Sequence, residues 1–587
     1  MNPAQYLKFI LVICAGLLQT FAVCSPSDGA TRGWLQVVCV AVLLWALETD
    51  DDRKINVNIP VYVHKSKLSG LKRVIAYSFA FTLSWLTSTF WWIYVSLHTY
   101  GGLHAVLSIA AVLILAGGLS VYYVIGSILY VSLKRDLNLV MGSVLFGATW
   151  TLAELARAQW FTGFPWGAVG YAHLDNPLKL LAPYGGVYSI GFIACTFACV
   201  LVGVLRAILS QKERKNTDIN AAVSTATGAA LGAALGAALG AAQGAATGKG
   251  TTSRSGASAF KVSSFLAAMA FVLLFPNESL VKELEQNKDQ NITFTNAVSY
   301  TLLQGNVPQE TKFEHEGLEA LNWYKKQILE AKTQWVITPE TAIPVLKKDL
   351  PNGYLEEIVA NLNGAQKDKQ ALLIGMVGES STGYTNRIEG ITKAGEIYIY
   401  DKHHLVPFGE FIPAWFKWFT DMLRIPLGSF KRGELIQEPW DMFGQRVAVN
   451  ICYEDVFGEE LAVPFVQRAG AEPTVMVNVS NIGWFGPFMA VEQHLNASRM
   501  RAVELQRPML RATNTGATAA IDHNGYVIAL LPKGERGELS GEVRGVNAAP
   551  TVYAWWSGRY SLYPLWVICL GIVLIAWLFK VVKTEKA

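Results

Sequence analysis

Three side chains of complementary chemistry stand at the ends of short apolar runs: Glu340, Lys402 and Cys452. Cys452 lies in R-V-A-V-N-I-C-Y-E-D-V (Arg446–Val456), where Val447, Val449 and Ile451 read as a buried strand. A cysteine leaving a strand into a turn sets its sulfur at a sheet edge beside free backbone N–H groups. From there a thiol can attack a carbonyl, and the oxyanion that forms finds donors. Read alone, Cys452 fits a small buried hydrophobe equally well. Glu340 follows a run, Trp335–Ile337, that stops at Pro339; a carboxylate in a dry site is a general base toward a thiol. Lys402 sits in Y-D-K-H-H-L-V-P-F-G-E (Tyr400–Glu410), and a nearby ammonium favours first a thiolate and then an oxyanion. Singly, each also fits a solvated surface charge. His403 and His404 are adjacent and lack the spacing of a zinc site, so no metal is expected.

The elements that must position these residues are strands and helices in alternation. Strand-like runs recur at Val298–Leu303, Trp335–Ile337, Leu372–Val377, Val447–Ile451, Val475–Val479 and Thr518–Ile521. Helical patterns at Glu314–Lys332, Tyr354–Gln366 and Met489–Leu505 fall among them, which predicts an α/β layered domain over residues 290–550. Cys452 is its one cysteine; the other six of the seven lie in apolar segments, so no disulfide can form within it.

The rest of the chain is of another kind. Of 587 residues 52% are hydrophobic and 16% charged, values that suit an integral membrane protein carrying one sizeable polar domain. Apolar runs of spanning length occur at about 6–24, 31–48, 74–98, 103–133, 137–156, 184–209, 259–276 and 562–580, so about eight spans are expected. Residues 1–276 thus form a membrane domain of seven spans, and 562–580 a last helix. Lys and Arg gather in alternate connections: 49–73, Lys134-Arg135, Arg206–Lys215 and the tail from Lys580. This predicts cytoplasmic termini and a polar domain on the far side, the periplasm of a bacterium. Residues 218–258, with G-A-A-L repeated, read as a flexible or weakly helical cytoplasmic insertion. No long basic run marks a nucleic-acid partner. The segment after Lys402, Phe408–Phe430, is rich in large apolar residues including Trp415 and Trp418, and suits either an interfacial arm on lipid headgroups or a core helix. The aromatic loop Trp160–Trp166 is expected at the same interface, with Phe164 and Trp166 contacting lipid.

Taken together, W-x-x-x-P-E at Glu340, D-K-x-H-L-V-P-F-G-E at Lys402 and I-C-Y-E at Cys452 resemble the Glu–Lys–Cys triad of the nitrilase, or carbon–nitrogen hydrolase, superfamily. More narrowly, the chain is similar to the bacterial apolipoprotein N-acyltransferase family. Further matches are Phe161–Gly167 (F-T-G-F-P-W-G), Gln304–Gln309 (Q-G-N-V-P-Q), Ser480-Asn481 with Trp484-Phe485-Gly486, Arg511–Asn514 and the single span after the polar domain. Only the 218–258 insertion and the polar 49–71 loop fall outside the likeness.

The resemblance implies a polytopic helical membrane domain joined to a nitrilase-like α/β/β/α sandwich in the inner membrane. It implies a ping-pong acyl transfer from a phospholipid donor, through a Cys452 thioester, to the N-terminal amine of a diacylglyceryl apolipoprotein. Glu340 would be the base, and Lys402 with the N–H of Tyr453 would steady the oxyanion. Glu410 and Glu454 would orient Lys402 and the loops, and Phe313 and Trp484 would join the lipid contacts. No cofactor is implied, and a monomer is expected. Two positions depart from the family pattern: Phe313 stands where Trp is common, and Ile482 where Asp is usual. A membrane-anchored nitrilase-type amidohydrolase using water, and a non-catalytic scaffold, remain alternatives; the eight spans and the aromatic arm disfavour the first and the intact triad the second.

Overall fold

The computed structural model describes residues 3–47, 65–214, 278–290, 292–308, 315–362, 370–381, 383–392, 397–412 and 430–585. The helices α1 (Pro3–Val23), α2 (Gly33–Leu47), α3 (Lys65–Phe90), α4 (Ala105–Leu133), α5 (Leu139–Gln159) and α6 (Ala182–Arg214) come first. Packed neighbours run α1–α3–α4–α5–α6–α2 and back to α1, a closed ring. After the helices α7 (Glu278–Asp289) and α11 (Val552–Tyr560), which flank the polar part, the last helix, α12 (Tyr563–Glu585), leans on α5 from outside. Among the described residues five segments are long and apolar enough to cross a membrane: Pro3–Val23, Ala105–Asp136, Leu139–Thr162, Pro177–Ile208 and Tyr563–Lys583. α2 has 15 residues, about 22 Å at the usual rise and short of a ~30 Å hydrocarbon layer. α3 begins on Lys65, Lys67, Lys72 and Arg73, which lowers its apolar content. The expected span at 259–276 and the 218–258 insertion lie outside the described residues.

The polar part is a sandwich of two six-stranded sheets. The first holds β1 (Val298–Gln304), β2 (Trp335–Ile337), β3 (Ala371–Ser380), β4 (Gly383–Thr392), β5 (Ile397–Asp401) and β12 (Gly537–Val543), in the order β12-β1-β2-β3-β4-β5. The second holds β6 (Trp440–Met442), β7 (Gln445–Ile451), β8 (Val475–Ser480), β9 (Met509–Thr513), β10 (Ala519–Ile521) and β11 (Val527–Leu530), in the order β11-β10-β9-β8-β7-β6. The centre of each sheet is parallel: β1–β2–β3 in one and β7–β8–β9 in the other. Parallel strands need both faces covered, and their burial shows it. Between the sheets lie Tyr300, Leu302, Ile337 and Leu373 from one side and Val449, Val477, Val479 and Leu510 from the other. The outer face of the first sheet packs on α8 (His315–Glu330) and α9 (Tyr354–Leu362) through Leu321, Ile328, Ile358 and Leu372. The outer face of the second packs on α10 (Met489–Leu505), whose far side continues into the core of the helical ring. The order of layers is α/β/β/α, as expected.

Helix-period and buried-run signals place their elements to within a few residues: Met489–Leu505 and Trp335–Ile337 fall as read. The second half of the expected helix 354–366 is outside the described residues beyond Leu362. Among the described residues, six of the twelve sandwich strands had no signal of their own, β4, β5, β6, β9, β11 and β12. The four edge strands, β5, β6, β11 and β12, alternate or are partly exposed, so apolar runs do not mark them.

Candidate active site

β7 ends at Ile451 in extended backbone, and Cys452 turns to a left-handed φ of 52°, starting the tight turn Cys452–Val456. A non-glycine residue is held there only when its surroundings over-determine it. Glu454 does much of that holding. One carboxylate oxygen accepts the N–H of Ile451 at 2.6 Å and the hydroxyl of Tyr400 at 3.0 Å. The other accepts the N–H groups of His403 at 2.7 Å and His404 at 3.2 Å. The elbow and the Lys402 loop are thereby fastened by one side chain.

Glu340, Lys402 and Glu410 form a buried cluster. Lys402 Nζ lies 3.1 Å from Glu340 Oε1 and 3.0 Å from Glu410 Oε1. Asn386, in the middle of β4, donates its amide to the same two oxygens at 2.6 and 2.7 Å. The second oxygen of Glu340 accepts the Asn481 N–H at 2.7 Å, and that of Glu410 accepts the Val406 N–H at 2.8 Å. Glu340 reaches this place because Gly375 on β3 lets the Pro339 carbonyl pass: a Cβ there would stand 2.2 Å from that oxygen.

Charge follows from this geometry. Burial by itself depresses the Lys402 ammonium, but Glu340 and Glu410 outweigh it and hold Lys402 well above its usual range. Cys452 goes the other way: burial first, then the Glu340 charge, push its thiol far up, and Lys402 offsets only part. Lys402 thus favours the thiolate, as its charge implies, without outweighing burial and Glu340. Burial and the Glu340 charge together favour the protonated sulfur. Burial also lifts Glu454 to about 7 against its backbone donors and Lys402.

The helical half closes over the elbow. Arg157, near the end of α5, donates to the carbonyls of Phe164 at 3.1 Å and Trp166 at 2.7 Å, and Glu154 accepts the Val169 N–H at 2.9 Å. The loop so held packs on Tyr453, the residue after Cys452. Tyr453 is buried, stacks on Trp166 with ring centroids 6.3 Å apart, and donates its hydroxyl to Gly163 O at 3.3 Å. Phe164 packs edge-on against Phe90 at 4.8 Å. His404 spans the two halves, with Nε2 3.1 Å from Thr162 O and Nδ1 3.0 Å from Glu460. Trp166, expected among the lipid contacts, is buried between Tyr453 and His494 and presents no free face in this conformation. Trp160 and Phe161 are the loop's exposed aromatics, at 53% and 78%. Trp484 is 44% exposed and meets Tyr100 edge-on. Ile482 is fully buried in the core shared with the helical ring, where a carboxylate would need a partner. Phe313, Trp415 and Trp418 lie outside the described residues.

Glu340, Lys402 and Glu410 are thus brought into contact, the charges of all three act on Cys452, and Glu454 fastens the elbow to the Lys402 loop. Asn386 and His494 were not singled out by sequence reading, and Asn481 was named only as part of a matching segment, without its N–H bond to Glu340. Asn386 is one polar residue inside a strand and carries no local signal. His494 lies on a helix whose burial on all sides hides which residues face the site.

The family model described as apolipoprotein N-acyltransferase N-terminal domain matches residues 15–200, and the carbon–nitrogen hydrolase model matches 302–550. An apolipoprotein N-acyltransferase of Verminephrobacter eiseniae is 41% identical over 560 residues, covering 94% of this chain and 92% of its own. One from Ralstonia nicotianae is 37% identical, covering 81% of this chain and 80% of its own. Among solved structures, a CN-hydrolase superfamily protein from Xanthomonas campestris is 17% identical and covers 46% of this chain and 96% of its own, with a TM-score of 0.31.

Proposed function

The chain belongs to the apolipoprotein N-acyltransferase family, and we propose that it performs lipoprotein N-acylation in two half-reactions on Cys452. It is an acyltransferase with a carbon–nitrogen hydrolase domain, acting on lipid and lipoprotein. The observation that carries the reading is the buried contact of Glu340 with Lys402, 3.1 Å apart, beside the left-handed elbow of Cys452.

In the first half-reaction Glu340 takes the thiol proton as sulfur attacks the acyl ester carbonyl of a phospholipid. Lys402 and the N–H of Tyr453 steady the tetrahedral oxyanion. The C–O bond then breaks, Glu340 returns the proton to the departing glyceryl oxygen, and a lysophospholipid leaves a thioester behind. In the second, the α-amino group of a diacylglyceryl-cysteine attacks the thioester. Glu340 takes an amine proton, the C–S bond breaks, and the proton passes to sulfur. An ester becomes a thioester and then an amide, so no ATP is consumed. Glu410 and Asn386 keep Lys402 aimed, and water is kept out by Tyr453 and the Phe164–Trp166 loop.

Placement in the bacterial inner membrane with the catalytic domain in the periplasm fits the packing of charged ends. Lys580 and Lys583 of α12 donate to Ser132 O at 3.3 Å and Asp136 O at 2.9 Å, so the tail and the Lys134-Arg135 turn share one side. The site lies at the other ends of these helices.

The test is mass spectrometry of the purified protein incubated with phospholipid and no acceptor. One acyl group on Cys452, discharged by a diacylated lipopeptide as an N-acylated product, is expected. Failure to load, or discharge only to water, would move a scaffold or hydrolase ahead.

A further inference from the structure

His494 is fully buried on α10, with Nε2 2.9 Å from the carbonyl oxygen of Cys452. Its other nitrogen lies 2.5 Å from Arg511 Nη2. A guanidinium only donates, so Nδ1 must accept and Nε2 must carry the hydrogen, which it gives to the Cys452 carbonyl. The ring is a neutral imidazole of fixed tautomer; burial and the Arg511 charge both hold it well below the usual histidine range. Arg511 in turn pairs with Asp455 at 3.1 Å, and Ser498 bridges the two. Asp455 belongs to the same Cys452–Val456 turn, so the chain of bonds leaves the elbow at Cys452 and returns to it three residues later. The second donor to the Cys452 carbonyl, Asn478 Nδ2, is at 3.5 Å, long for a hydrogen bond.

The same ring faces the helical half. It stacks on Trp166 with centroids 5.5 Å apart and planes 12° from parallel. The preceding residue, Gln493, accepts the indole N–H of Trp92 at 3.0 Å and of Trp166 at 2.7 Å. Two consecutive residues of α10 therefore grip the aromatic loop, and one of them also grips the nucleophile's backbone.

We propose that His494 is a positioning residue that locks Cys452 in its left-handed backbone and makes that lock depend on the seating of Trp166. It touches no reacting atom. It fixes the direction of the sulfur and of the Tyr453 N–H, and a misplacement of about 1 Å in such groups costs on the order of 100-fold. The proposal rests on the acyl-transfer reading above, which the wild-type loading experiment tests separately.

The experiment is single-turnover loading of Cys452 from phospholipid vesicles by the full-length protein in detergent micelles, scaled to folded molecules. His494→Ala is expected to load about 100-fold more slowly with the apparent KM for phospholipid within about twofold. His494→Gln, which keeps a donor for the Cys452 carbonyl, is expected to recover most of the rate. In a cycle, Trp166→Phe is expected to slow the wild type more than it slows His494→Ala. Loading by His494→Ala at the wild-type rate, or a raised KM with an unchanged rate, overturns the proposal. An additive cycle overturns the dependence on Trp166. Should His494→Ala fail to fold, His494→Gln decides: loading more than about tenfold below wild type overturns it.

Discussion

The carboxylate of Glu340 and the backbone N–H of Asn481 meet at 2.7 Å across the two sheets of the sandwich. Glu340 follows β2 of one sheet and Asn481 follows β8 of the other. The bond marks where the carboxyl ends of parallel strands from both sheets converge: Ile337, Ile451, Ser480 and Thr513 all end there. The Glu340 carboxylate is thus oriented by the opposite sheet, and the sandwich must be closed for the site to exist.

Replacing Glu340 by Gln removes the proton acceptor and sets an amide N–H against donors from Lys402 and Asn386. The rate of acyl-enzyme formation is expected to fall by about 10²- to 10⁴-fold, with phospholipid binding little changed. Single-turnover loading followed by intact mass checks this; a loss under tenfold would remove Glu340 as the base.

Lys402→Met leaves two buried carboxylates facing each other. Breaking a buried pair from one side costs about 3–5 kcal/mol, so the denaturation midpoint should drop sharply. Adding Glu410→Gln relieves one of the two charges and should return much of the stability but none of the activity. Chemical denaturation of both variants, alongside loading, separates the two roles of the lysine. Equal destabilisation in both would mean the contact with Glu410 is not felt.

Cys452 should alkylate slowly, since burial and Glu340 keep its thiol protonated. Iodoacetamide modification of the Cys452 peptide is expected to be slower than that of free cysteine at neutral pH. It should still be rising at about pH 9, where an ordinary thiol is largely ionised. A rate that levels off below about pH 7 would indicate a thiolate at rest.

Four buried carboxyls lie above their ordinary range, each chiefly by burial: Asp455 at about 6, Glu454 and Glu504 at about 7, and Glu459 at about 8. The folded state binds these protons more tightly than the unfolded chain does. Their contribution to stability is complete below the unfolded values and is lost as pH rises through the folded ones. Thermal midpoints are therefore expected to decline from about pH 5 to about pH 8, and Glu454→Gln to flatten the slope. A midpoint rising over that range contradicts this set of shifts.

How much of this was legible depended on whether the signal was local. A glutamate after Pro339 and a cysteine ending an apolar run announce themselves, and the Lys402 loop carries its own pattern. Asn386 does not, because its role arises only when the antiparallel β3–β4 pair brings it to Glu340, 46 residues away. The inner strands were readable because burial on both faces makes continuous apolar runs. Exposed edge strands such as β5, with Ile397 and Ile399 facing outward, share that alphabet with loops. Trp166 was placed at a lipid surface because aromatic residues beside a membrane usually lie there; its indole is instead used by Gln493.

The helix α10 covers the second sheet with one side and meets the membrane ring with the other. Ribosomal synthesis makes the ring first, hundreds of residues before α10 emerges, so the older half of the chain is a mould for the newer. A fragment cut at residue 290 would lack the surface its outermost layer is shaped against, and should come off a sizing column as aggregate rather than monomer. Folding is then ordered along the chain, and the Cys452 elbow is held in place only once α10 has docked on the helical ring.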